Sequence, residues 1–163
     1  MAALTSFKGW TLALAVGMFA QACTPPPQRP FDPVDVPFRN PTAQIASQSD
    51  VTLDRLTGTW RVTQRFDGGL SQGLQTVIFD ANGIAVDGTR IPLRYLGEGR
   101  FEGEAFSLWV HWMDIDSRTA VIGSPDGDFG WIMERGAASA DRTRAAREIL
   151  QWYGYDTSRL KGV

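Results

Sequence analysis

LTGTWRVTQRF, residues 56–66, joins a glycine, a tryptophan and an alternating run. Gly58 stands two residues before Trp60, and from there apolar and polar side chains alternate as they do along a half-buried strand. Counted from Trp60, parity sends Val62, Gln64 and Phe66 to one face and Arg61, Thr63 and Arg65 to the other. The first face is the expected interior.

The rest of the chain repeats this pattern. Strands are predicted near Thr59–Phe66, Leu74–Asp80, Ile84–Asp87, Thr89–Leu96, Arg100–Phe106, Leu108–Asp114, Thr119–Gly123 and Phe129–Glu134. DGG, DANG, DG, GEG, DIDS and SPDGD stand between them, and these are turn chemistries of the hairpin kind. No helical stretch interrupts the strands, which excludes parallel βαβ units. The period then changes. In ADRTRAAREILQWY (140–153), behind Ser139 as N-cap, Ala145, Ile149, Leu150 and Trp152/Tyr153 fall at helical spacing. Arg142, Arg144, Arg147 and Glu148 fill the other face, and Gly154 ends the helix.

The expected fold is therefore all-β: a small eight-stranded antiparallel up-and-down barrel with one C-terminal helix packed outside. Such a barrel needs one end plugged, and Trp60 at the start of the first strand serves. Gly58 lets the chain pass close beneath it. Arg135, just after the last strand in GWIMER, is placed to stack its guanidinium on the Trp60 indole.

This combination resembles the lipocalins, in particular the bacterial outer-membrane lipoprotein branch. The matching pieces are Gly58-Thr59-Trp60, RTAVIGSPDGDFGWIMER (118–135), and the helix followed by YGYDTSRL (153–160). The family's middle motif is present only as Asp114-Ile115-Asp116-Ser117. The resemblance implies a barrel that holds a small apolar molecule. Its wall would be aromatic and aliphatic, with Val62, Gln64, Phe66, Phe79, Trp109, His111 and Trp131 as candidate ligand contacts. Parity leaves open whether Trp109 and His111 or Val110 and Trp112 point inward, because both faces of strand 108–114 are apolar.

Catalytic parts are scarce. His111 is the single histidine, in SLWVHWMD, and no GxSxG elbow accompanies it. It reads first as a hydrogen-bonded wall residue and second as a ligand contact. Asp126 and Asp128 read as turn acids rather than metal ligands. No enzyme activity, cofactor or metal is expected. The 16 basic and 18 acidic side chains are scattered, which argues against a nucleic-acid surface.

The N-terminus carries an address. Lys8 precedes the apolar run WTLALAVGMFA, which ends at Ala20-Gln21-Ala22 before Cys23. A basic start, a short apolar stretch and small residues at a cleavage point make a secretory signal over residues 1–22. Cys23 is the one cysteine, which excludes an internal disulfide. The segment resembles a bacterial lipoprotein signal, which implies lipidation of Cys23 and, with Thr24 next, attachment at the periplasmic face of the outer membrane. Ala20-Gln21-Ala22 also suits ordinary cleavage, which would release a soluble periplasmic protein. Residues 23–49 hold most of the nine prolines and read as a solvated tether to a domain over 50–163. The expected function is carriage of a fatty acid, lysophospholipid or similar amphiphile in the cell envelope. The alternative is a structural or interaction lipoprotein whose barrel is filled by its own side chains.

Overall fold

A computed structural model describes residues 36–163; the signal segment, Cys23 and the tether as far as residue 35 lie outside them. One turn of helix, α1 (Leu53–Leu56), leads into β1 (Gly58–Arg65), β2 (Thr76–Asp80), β3 (Gly83–Val86), β4 (Thr89–Pro92), β5 (Arg94–Gly97) and β6 (Arg100–Glu102). There follow β7 (Ser107–Met113), β8 (Thr119–Gly123), β9 (Gly130–Glu134), the helix α2 (Ala140–Trp152) and β10 (Lys161–Gly162). The sheet runs β4-β3-β2-β1-β9-β8-β7-β6-β5, antiparallel throughout, with β10 added to β1. Asp87 and Glu98, at φ 45° and 52°, open two-residue hairpin turns whose positive φ matches the twist of the strands they join.

The expected run Thr89–Leu96 is one strand with a bend at Leu93. Its first half pairs with β3 (Gly83 opposite Pro92) and its second with β6 (Arg94 opposite Glu102). Those halves are the two edges of the sheet, so the chain itself joins them where no ladder does. The result is an antiparallel, nearly closed barrel with α2 outside, as expected. Elsewhere the strands are shorter than the apolar runs suggested: β2 starts at Thr76 and β6 stops at Glu102.

The register carries two bulges that decide which side chains face inward. Val62 is opposite Met133 and Gln64 is opposite Ile132, so Thr63 is one residue extra. An inserted residue reverses the parity of everything beyond it. Trp60 and Val62 are interior, as expected, but Gln64 and Phe66 are not. Phe66 belongs to the outer apolar layer with Val121, Ile132, Ala146, Leu150 and Tyr155. Gln64 accepts a hydrogen bond from Arg147 Nη1 of α2 at 2.7 Å. Arg65, expected outside, stands opposite Trp131, whose side chain is in the interior cluster. Directly paired residues share a face, so Arg65 turns toward the barrel. The second bulge lies in β7, where Val110 faces Ile122 and Trp112 faces Val121. It settles the question parity left open: Leu108, Val110 and Met113 point inward, and Trp112 packs on the outer layer.

A second correction concerns the tether. Residues 36–50 do not run free but lie along the barrel as a strap. Phe38 is buried and stacks on Phe66, with centroids 4.9 Å apart. The buried Arg39 donates to the carbonyls of Tyr153 (2.9 Å), Pro125 (3.1 Å) and Ala43. Further on, Gln48 bonds to β7, its backbone N–H donating to the Val110 carbonyl at 2.9 Å and its Oε1 accepting from the Met113 N–H at 2.6 Å. The prolines remove donors and favour extended backbone, but side chains at Phe38, Arg39 and Gln48 provide the attachment.

Helix α2 buries Ala146 and Leu150, whereas Trp152, expected on the apolar face, is 79% exposed. Ser139 occupies the N-cap position without a side-chain capping bond. What pins the first turn is Arg142, which donates from Nε to Thr119 Oγ1 (2.6 Å) and pairs with the buried Glu134 carboxylate (3.3 Å).

Candidate functional site

The barrel interior runs between two differently built ends. At the lower end Trp60 is 0% exposed, its Nε1 donating to the Leu56 carbonyl at 2.7 Å. The Arg135 guanidinium lies 3.9 Å from the centre of the indole, as the sequence suggested. Arg135 also donates to the carbonyls of Arg55 (3.1 Å), Leu56 (2.6 Å) and Thr57 (2.6 Å). One cation thereby takes up the last carbonyls of α1 and covers the ring. Gly58 sits beside it at φ +115°, a conformation closed to L side chains, with Arg135 Nη2 3.7 Å from where a Cβ would stand. Arg55 extends this floor, donating to the Asp114 carbonyl (2.8 Å) and Ser117 Oγ (3.1 Å). The Asp114–Ser117 turn, where the family's middle motif was incomplete, is thus bound to α1.

At the upper end the β1–β2 connection, residues 66–75, folds over the mouth. Its Leu70 and Leu74 are buried in the interior cluster. Ser71 Oγ lies within hydrogen-bond distance of the Phe66 (2.7 Å) and Gly68 (2.9 Å) carbonyls, which share its one proton, and Arg65 Nη1 donates to the Leu74 carbonyl (3.2 Å). Gly69, at φ +54°, lets this roof seat against the β8–β9 turn; a Cβ there would meet the Asp128 carbonyl oxygen at 2.6 Å.

Between floor and roof the lining is apolar and closely packed. Val62, Phe79 and Trp131, three of the expected ligand contacts, belong to it, and Phe79 packs on Phe101 with centroids 5.7 Å apart. Trp131 is 0% exposed and stacks on Phe129 (5.6 Å). Its Nε1 is buried with no hydrogen-bond partner, and so is Arg65 Nε. Buried donors without acceptors are rare and costly, about 1–3 kcal/mol each. These two belong to residues paired across one ladder on one face.

The remaining candidates lie outside this interior. Gln64 and Phe66 face α2 and the strap. Trp109, between the inward Leu108 and Val110, faces outward and is half-buried. His111 is buried under the strap: its Nδ1 is 2.8 Å from the Ala46 carbonyl, which can only accept, so Nδ1 carries a proton. Its Nε2 is 3.1 Å from Tyr155 Oη, whose own proton is also directed at the Ser124 carbonyl, 2.7 Å away. Burial pushes the imidazole down to about 4; the Ala46 bond opposes this and the Arg39 charge reinforces it. Burial likewise raises the Tyr155 phenol far above its ordinary value. Gly123 leaves the room for this pair, since a Cβ there would lie 2.1 Å from Tyr155 Oη. His111 is thus the hydrogen-bonded wall residue of the first reading. Asp126 and Asp128 lie in the β8–β9 turn, and among the described residues no three His, Cys, Asp or Glu side chains gather as metal ligands.

Sequence reasoning missed Arg65, Leu70 and Leu74 as residues of the mouth. Two leucines in an otherwise Gly-, Ser- and Gln-rich connection were a usable signal of a loop that packs inward. Nothing in the residue pattern marked the inserted Thr63 that turns Arg65.

Residues 87–163 match the family model of a lipocalin-like domain. Among solved structures the chain is similar to Per a 4, a major allergen from cockroaches, at 14% identity and a TM-score of 0.51, over 76% of this chain and 95% of that one. At this identity the likeness is one of fold. No curated protein matches the chain.

Proposed function

We propose that the protein, whose residues 87–163 match the family model of a lipocalin-like domain, holds a small hydrophobic or amphiphilic molecule inside its barrel. The observation that carries this reading is the contrast in closure. The interior is lined by apolar side chains, the floor is fixed by Arg135 and Trp60, and the β1–β2 connection folds over the mouth with Leu70 and Leu74 as its stopper. Lifting residues 66–75 would withdraw Leu70 and Leu74 and leave space bounded by Phe129, Trp131 and Val62. Binding would follow apolar area, at about 0.8 kcal/mol for each methylene buried, and would involve no covalent chemistry. A fatty acid or lysophospholipid fits that description, and a non-enzymatic carrier is the role we infer.

Fatty acids of increasing length, titrated against intrinsic tryptophan fluorescence, test this. Two added carbons should tighten binding roughly tenfold until the barrel is full. A second reading has its own observation: Leu74, Val77, Phe79, Ile84, Val110 and Trp131 are all 0% exposed, so the interior is filled by side chains as it stands. No saturable response at any chain length, in folded protein stripped of co-purified lipid, would overturn the carrier reading in favour of a structural or interaction protein with a filled barrel.

We infer further that the protein is exported and lipid-anchored through Cys23 on the periplasmic side of the outer membrane. The support is the N-terminal sequence alone. Cys23→Ala should move the protein from the membrane pellet to the soluble fraction, and an unchanged distribution would refute the anchor.

A further inference from the structure

The interior has one chemical irregularity, and it lies at the mouth. Beneath the roof the barrel is lined by the apolar interior cluster, and two N–H groups there lack acceptors, Arg65 Nε and Trp131 Nε1; among the described residues Arg100 Nε and Glu134 Oε1, elsewhere on the sheet, are also buried without partners. The two residues are opposed across the β1–β9 ladder, so they present these donors from adjacent strands to one side. Trp131 is fully buried, and its ring is held by Phe129, which is itself held edge-on by Phe106 (5.5 Å). The indole N–H therefore has little freedom to turn elsewhere. Arg65 is anchored by Nη1 on the Leu74 carbonyl of the roof loop (3.2 Å). The acid two residues on, Asp67, is engaged by Lys161 at 2.9 Å. A guanidinium always carries its charge; Asp67 feels that charge as well as that of Lys161, but no acceptor reaches the inward Nε.

We propose that Arg65 and Trp131 form a head-group subsite for an anionic amphiphile. Its acid oxygens accept from Arg65 Nε and Trp131 Nε1, while its chain fills the apolar barrel below. This rests on the carrier reading above and specifies the ligand class: a single-chain molecule ending in a carboxylate or phosphate, rather than a neutral lipid or sterol-like molecule. The geometry gives the subsite a second role. Arg65 holds the roof through Leu74, so a ligand head at Arg65 sits where the loop is fastened and is positioned to compete for the group that keeps it shut.

The full chain, stripped of lipid, is titrated with dodecanoic acid, dodecyl lysophosphatidic acid and dodecanol, which share a chain and differ in head. The wild-type protein is compared with Arg65→Met and Trp131→Phe, each checked for an unchanged fold by circular dichroism. The expected result is that at least one anionic amphiphile binds about tenfold or more tighter than the alcohol. Each substitution should remove most of that preference, so that the ratio of acid to dodecanol affinity falls toward one whatever the change in dodecanol affinity itself. The preferred acid then identifies the head as carboxylate or phosphate. Equal affinity for acids and alcohol, or a preference that survives both substitutions, overturns the subsite and leaves the carrier reading standing. No binding of any of the three overturns both. Trp131→Phe retains the stacked ring, so it separates loss of the N–H from loss of packing if Arg65→Met loosens the roof.

Discussion

The two ends of the barrel are closed by the same kinds of residue in opposite ways. At the floor an arginine lies on a tryptophan, and their donors are matched to carbonyls: Arg135 reaches three, and Trp60 Nε1 reaches Leu56. At the roof an arginine again stands beside a tryptophan, but Arg65 Nε and Trp131 Nε1 have no partners and the closing piece is a loop. The difference separates support from function. A buried polar network that is fully satisfied makes one rigid arrangement, whereas one with spare donors loses stability unless something supplies acceptors.

The largest effect that would break this comparison is expected at the floor. Trp60→Ala should cost about 3–5 kcal/mol, measured by denaturant unfolding. Arg135→Ala should cost less, and the two losses should couple by about 1 kcal/mol in a double-mutant cycle. Simple additivity would show that the stacking contributes nothing.

The strap between the ends should respond next, and to pH. His111 is held neutral by burial, with its imidazole pushed down to about 4 against an ordinary 6.5. The unfolded chain then binds more protons than the folded one between those values, so stability falls as pH falls from about 6.5 to about 4. The loss should reach on the order of 3 kcal/mol. Chemical denaturation across that range should show it in the wild type and not in His111→Gln. An equal slope in both would place the titration elsewhere.

The smallest effect should be at the roof. Gly69→Ala forces a Cβ against the Asp128 carbonyl at a φ of +54°, so the loop should lift rather than the barrel unfold. A cost of about 1 kcal/mol is expected, with faster uptake of an apolar fluorescent probe. A cost as large as that of Trp60→Ala would mean that the roof is structural and that the two ends do not differ in kind.

The architecture was legible in the residues alone. Alternation beginning at Trp60, hairpin chemistry such as Asp87-Gly88, and the change of period at 140 require antiparallel strands followed by one helix, because each is a local property of the chain. The floor was legible too, since Gly58, Trp60 and Arg135 occupy places that any closing barrel must fill. The tertiary structure alone decided the mouth. Parity is a local rule, and the extra residue at Thr63 breaks it for a reason outside the strand: β1 must stay in register with β9 while α2 and the strap cover its outer face. That one insertion turned Gln64 and Phe66 away from the interior and Arg65 toward it. The bulge in β7 turned Trp112 outward and Met113 inward, and packing at Phe38 and Arg39 converted part of a proline-rich tether into a strap. These outcomes depend on which distant side chains are available to bury or hydrogen-bond a residue, and that information is distributed over the whole fold rather than written next to the residue it governs.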